Sequence, residues 1–406
     1  MRSKVMRCMT AMILFAALPF PVRLAAQDRH QAGGQAQKYL IVDLGSGFAG
    51  QTSKNGSQAS SINDFGFEAG SAFIGAGSVQ HAALWVYGFA IDLGALGGPT
   101  TSSDVVFPGL NDLGEVVGIT ETATPDPNNE PWSCGAFIAR APGTSCVGFL
   151  WRNGVMTALP TLGGANGFAA GINNRGQAVG WAENTIHDPT CDTKGAGQVL
   201  QFKAVVWEPS GQVVQLPSFH GEPDSAAVTI NDRGQIAGIS GTCGQAVGGV
   251  SANHAVLWDD GTVTDLGNHL GGKGWNTPLS INNEGVIVGF TNVSNDVGNP
   301  TFRGFIWTRG SGKETSLDPL PGDAISEAQS VNDDGQIVGI SYAAGFSNPR
   351  AVIWIDGRPI DMNSLPLTGA ALHLTDAAAI NQRGEITGTA IDANGNAVSF
   401  LAIPLD

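Results

Sequence analysis

The nonapeptide Ile62-Asn63-Asp64-Phe65-Gly66-Phe67-Glu68-Ala69-Gly70 places an asparagine three residues before one glycine and seven before another. The phrase returns with its asparagine at Asn111, Asn173, Asn231, Asn282, Asn332 and Asn381, at intervals of 48, 62, 58, 51, 50 and 49 residues. An Asn side chain can hydrogen-bond the backbone two residues on, and Gly supplies positive φ, so Asn-x-x-Gly is a tight hairpin turn. An alternating strand follows it, as in Gln336-Ile337-Val338-Gly339-Ile340. Before it runs a short segment of small residues, such as Ser225-Ala226-Ala227-Val228. Seven copies at a period near 50 define a repeat architecture.

Two further phrases accompany the copies. One is an apolar run ending in tryptophan: His81 to Trp85, Gly148 to Trp151, Ala204 to Trp207, His254 to Trp258, Gly304 to Trp307 and Ala351 to Trp354. The other is Asp-Leu-Gly-x-Leu-Gly-Gly, clearest at Asp92 to Gly98 and echoed with one extra residue at Asp265 to Gly272. Each unit therefore reads as four antiparallel strands, and no segment sustains a helical period. Four strands repeated about every 50 residues predict the blades of a β-propeller. Ala, Ser and Gly suit innermost strands that converge on an axis. Trp and Phe suit the widening space between blades, where each can bury about 150–250 Å².

The ends sharpen the prediction. Tyr39-Leu40-Ile41-Val42-Asp43-Leu44-Gly45 is a fourth-strand phrase without its first three strands, and Ala397 to Ile403 is a third-strand phrase without its fourth. Pairing them completes a seventh blade and closes the ring with no free sheet edge. The expectation is an all-β, seven-bladed propeller over 38–406, closed by the N-terminal strand on the C-terminal blade.

The chain has 406 residues, 57 of them Gly, with 14% charged. Typical soluble domains are roughly 25% charged, and bundles need Ala/Glu/Lys/Leu-rich runs. Arg2, Lys4 and Arg7 precede an apolar run from Met9 to Phe20, which ends in prolines and the small residues Ala25-Ala26. That layout predicts a secretory signal over 1–26, cleaved near Ala26, and a flexible segment over 27–37. The apolar run is shorter than the roughly 20 residues a membrane span needs. Lys+Arg number 20 against 35 Asp+Glu, a net charge of −15. Cleavage removes four basic residues and no acid, which gives 16 − 35 = −19. Phosphate binding needs a basic face, so nucleic acid is a poor partner. Cys134, Cys146, Cys191 and Cys243 would remain, an even number that in an oxidising compartment reads as two disulfides with three possible pairings.

The starts His81-Ala82-Ala83 and His254-Ala255-Val256, with the Ile-Asn-x-x-Gly and Asp-Leu-Gly phrases, resemble the HAF-type bacterial extracellular repeat. The resemblance spans about residues 38–405, although no unit keeps the full His-Ala-Phe triplet. It implies an exported repeat protein and brings no catalytic residues.

In a blade, the second-to-third and fourth-to-first connections share one face. The longest are expected at Thr120–Cys146 and Ala182–Lys203, and long connections are commonly functional. Pairing Cys134 with Cys146 would staple one of them, and Cys191 with Cys243 would tie neighbouring blades. The binding candidates are His220, Glu222 and Asp224, with Trp275, Asp323 and His373 in corresponding connections. A histidine among carboxylates suits acid–base work or cation binding, and a tryptophan suits stacking on a sugar. No catalytic residue, metal or cofactor is assigned. Gly271-Gly272-Lys273-Gly274 lacks phosphate-loop spacing, Asp392 to Asn396 lacks the acid that closes a calcium loop, and the histidines lack zinc spacing. Two functions follow. One is a secreted, monomeric binding or scaffold module for an extracellular or envelope protein or glycan. The alternative is an extracellular polysaccharide hydrolase or lyase at the channel mouth.

Overall fold

The computed structural model describes residues 37–48, 56–74, 79–98, 100–130, 134–135, 137–138, 143–191, 197–243, 253–296 and 298–405. The expected signal over 1–26 and nearly all of the segment over 27–37 lie outside these residues. The described chain forms seven sheets, six of four strands and one of five. Each four-stranded sheet is antiparallel and in sequence order, as in Ile325–Val331, Ile337–Ala343, Ser347–Ile355 and Arg358–Asp361. The protein is a seven-bladed β-propeller. Counting from the first complete sheet, blade 1 begins at Ser57 and blade 7 holds both ends of the described chain.

Blade 7 is built as the termini predict. Lys38–Gly45 pairs antiparallel with Ala397–Leu405, and Val42 lies opposite Leu401. One strand was not foreseen: Leu367–Gly369 adds parallel to the outer side of Lys38–Gly45. Blade 2 departs in the other direction, its innermost strand being only Ser103–Asp104. The two long connections also begin as strand. Val116–Pro125 with Thr144–Arg152, and Ala178–His187 with Leu200–Trp207, carry their hairpins beyond the length of the others.

The seven asparagines do more than shape turns. Each side-chain oxygen accepts backbone N–H groups of its own turn, as Asn63 does from Phe65 and Phe67. Each side-chain amide donates to the backbone carbonyl of the next asparagine, at 2.9–3.1 Å, and Asn381 returns to Asn63. The seven bonds close a circle. A second circle lies beside it, in which the residue after each asparagine donates its N–H to the side chain of its counterpart one blade on, at 2.7–3.0 Å.

Both glycines of the phrase have physical causes. The turn glycine has φ between +73° and +84° in all seven copies. A Cβ on the second would stand 1.9–2.1 Å from a carbonyl oxygen of the innermost strand, as Gly339 would from Glu327, so no side chain fits. Buried tryptophans then stitch blades together through their indole N–H: Trp85 to Leu44, Trp207 to Pro160, Trp258 to Pro217 and Trp354 to Asp318 carbonyls. Asn332→Ala removes one fully buried link. It should lower stability by roughly 2–3 kcal/mol, because the Asn381 carbonyl and the Gln336 amide lose partners. A urea midpoint equal to wild type would contradict this role.

Candidate functional site

The expected site residues do not meet at one point. His220 is exposed with φ +49°, its ring stacked on Phe219 at 3.9 Å. Glu222 accepts from Ser240 at 2.6 Å and faces His254 at 3.5 Å. Asp224, fully buried, accepts from Gln198 and the Phe202 amide, and burial pushes its carboxyl up to about 8. Asp323 accepts from Ser341 and pairs with Arg350 at 2.9 Å. His373 is exposed at the start of the innermost strand of blade 7. Trp275 packs on Phe302 at 5.2 Å, its indole N–H buried without an acceptor.

These contacts also explain the repeated histidine. Position four before the Trp lies in the third strand, and several blades put a basic residue there. His81 pairs with Asp92, His254 with Asp265 and Arg350 with Asp361, each 11 residues on in the fourth strand. Burial and two charge-assisted contacts oppose each other at Asp92, where the His81 contact helps hold the carboxyl below its ordinary range. The histidine is a brace between strands.

The central channel brings the innermost strands of the blades together. Residues five and three before each repeat asparagine line its wall, and the cavity within, about 280 Å³, includes Gln58, Ser60, Thr277, Glu327, Gln329 and Asp376. Phe107, Phe137 and Phe290 form an apolar wall of the same cavity. Phe137 belongs to the connection that Cys134–Cys146 closes, and its amide donates to the Cys134 carbonyl. Cys191–Cys243 joins the corresponding connections of blades 3 and 4. Both disulfides thus lie on the face from which the cavity is reached. Glu327, Gln329 and Asp376 are half-buried and Gln58 is exposed, so water enters.

Glu327 and Asp376 occupy equivalent positions on the innermost strands of blades 6 and 7. Desolvation pushes Glu327 up to about 8, and the Asp376 charge adds to it. Desolvation also pushes Asp376 up to about 7, against a hydrogen bond from Gln329. One oxygen of Asp376 has no partner, and neither has the Thr277 hydroxyl, whose residue is 3% exposed. Tyr342 lies near both acids, and its hydroxyl is pushed upward by burial and their charges.

The opposite mouth, a depression of about 160 Å³, is lined by the asparagine turns of the blades. Its polar oxygens already accept backbone N–H groups around the second circle, so that end is architectural. Asp392, the faint calcium-loop match, holds a hairpin instead, accepting from the Asn394 and Asn396 amides. Among the described residues no three His, Cys, Asp or Glu side chains form a metal-binding group. Nor is any helix there long and apolar enough to cross a membrane.

The model of a family described as "Protein of unknown function (DUF3466)" matches residues 217–398, somewhat under half of the chain. Among solved structures, that of YjhT is 10% identical with a TM-score of 0.34, covering 64% of this chain and 91% of its own. A structural-genomics protein of unknown function from Bacteroides thetaiotaomicron VPI-5482 is 11% identical with a TM-score of 0.34, covering 91% of this chain and 95% of its own. No curated protein matches.

Proposed function

We propose that this propeller is an exported binding module. Its loop face engages an extracellular or envelope protein or glycan, and the channel cavity receives an end group of that partner. The observation that carries this is the cavity of about 280 Å³, lined by the aromatic side chains of Phe107, Phe137 and Phe290 together with the polar groups of Gln58, Glu327, Gln329 and Asp376. Small-ligand sites are mostly apolar concavities with a few fixed polar groups, and rigid scaffolds commonly carry contacts on loops. The two disulfides support an oxidising compartment, and the HAF-type resemblance and the N-terminal signal layout support export. The Trp275–Phe302 pair and the half-exposed Phe346, 5.4 Å from Phe302, extend an aromatic surface beyond the cavity.

Gln329→Trp would fill the cavity at the loss of one hydrogen bond to Asp376 of the next blade, and its thermal unfolding curve shows whether the fold is kept. Capture of a glycan from an array, or of a protein from an envelope extract, should fall at least roughly tenfold, the equivalent of about 1.4 kcal/mol. Leu113→Trp, on the opposite face, should leave capture unchanged. Equal capture by both variants would sink the reading. A second reading, hydrolysis of a polysaccharide, draws on the Glu327–Asp376 pair from neighbouring blades, since glycosidases act through two carboxyl groups. Its sign would be new reducing ends released by wild type and not by Asp376→Asn.

A further inference from the structure

We infer that the channel cavity takes a compact organic cation, an amine on an apolar or aromatic body, with Glu327 and Asp376 as its counter-charges. This rests on the proposed binding role and narrows it to a ligand class. Two acids from adjacent blades face one cavity, and among the described residues no Lys, Arg or His forms an ion pair with either. Arg350, on the third strand of blade 6, is committed to Asp323 and Asp361. The titratable groups facing the pair are each other and Tyr342. Gln58 and Gln329 are neutral, and the Thr277 hydroxyl is buried and unpartnered in the same wall.

Buried charges are normally paired, and a buried polar group without a partner is costly. A neutral ligand could hydrogen-bond the glutamine amides and the protonated acids, but only a cation also compensates the acids in their ionised forms. An ammonium group supplies donors and charge together. Phe107, Phe137 and Phe290 match an apolar body, and aromatic faces attract cations. Burial raises Glu327 to about 8 and Asp376 to about 7, so the pair keeps part of its protons at neutral pH. An arriving cation favours their ionised forms, so binding releases protons to solvent.

The test uses the whole protein and three probes of nearly equal shape: 2-phenylethylamine, 2-phenylethanol and phenylacetate. Calorimetry at pH 7 in two buffers of different ionisation enthalpy reads affinity and proton release together. The amine should bind roughly tenfold or more tighter than the alcohol. It should release up to about one proton per amine bound, and phenylacetate should bind weakest. The double variant Glu327→Gln with Asp376→Asn should bind amine and alcohol alike with no proton release. If the alcohol matches the amine in the wild type, the charge inference fails and channel binding survives. If no probe binds, both fail. A thermal unfolding curve for each variant separates lost binding from lost folding, and Glu327→Gln alone, which should reduce the preference, replaces the double variant if that does not fold.

Discussion

A chain lacking residues 1–45 should lose cooperative unfolding altogether. Tyr39, Ile41 and Leu44 are 1%, 2% and 5% exposed and fill the outer part of blade 7 and its junction with blade 1. At roughly 1.5–3 kcal/mol for each large buried side chain, their loss approaches the roughly 5–15 kcal/mol that stabilises a whole domain. The deletion also strips the Leu44 carbonyl from Trp85 and leaves Ala397–Leu405 as an open edge, a template for aggregation. Circular dichroism against temperature, with light scattering, would show a broad transition and association. A sharp transition at the wild-type temperature would contradict closure by these strands.

Glu68→Ile should stabilise the protein, and more so in alkali. Glu68 occupies the fifth position after its repeat asparagine, where the other blades have Val116, Ala178, Ile236, Ile287, Ile337 and Ile386. Its side chain is 1% exposed, and apart from its own amide its oxygens reach no hydrogen-bond donor. Desolvation, with the nearby Glu385 charge adding to it, pushes the carboxyl up to about 8 from an ordinary 4.5. Between those pH values the unfolded chain has released a proton that the folded protein keeps. Stability is therefore full below the unfolded value and falls as pH rises through the folded one, by on the order of 4 kcal/mol. Glu183, Asp224 and Glu327 are raised in the same direction, so the difference between variant and wild type isolates Glu68. Urea midpoints at pH 5 and pH 8.5 should diverge between the two proteins. Parallel pH profiles would show that Glu68 finds a partner.

The architecture was written plainly in the chain because its determinants are local and repeated. Asn-x-x-Gly fixes a turn, the second glycine fixes a close approach of strands, and two incomplete end phrases fix the closure. The site was not legible in the same way. Glu327 and Asp376 each sit five residues before an asparagine, where other blades place Gln58, Val106, Phe168, Ala226 and Thr277. Nothing marks that position until seven strands bring it to one axis, 49 residues apart along the chain but side by side in space. Thr120-Glu121-Thr122-Ala123-Thr124 has a β-branched residue at every second place, a strand pattern inside the stretch expected as a long connection, and the blade 2 hairpin does continue through it as strand. Leu367–Gly369 carried no such mark, being three residues that pair only because Lys38–Gly45 is already there.

The circle of asparagine amides has a sense of rotation. Every copy gives in one direction and receives from the other, as in head-to-tail contacts that close only when the rotation completes a turn. Duplicating or losing one copy would leave no giver or receiver unmatched at the hub. The count of seven must then be imposed by the girth of the wedge, through the tryptophans and aliphatic side chains packed between neighbours, and inheritance could change that count by whole copies.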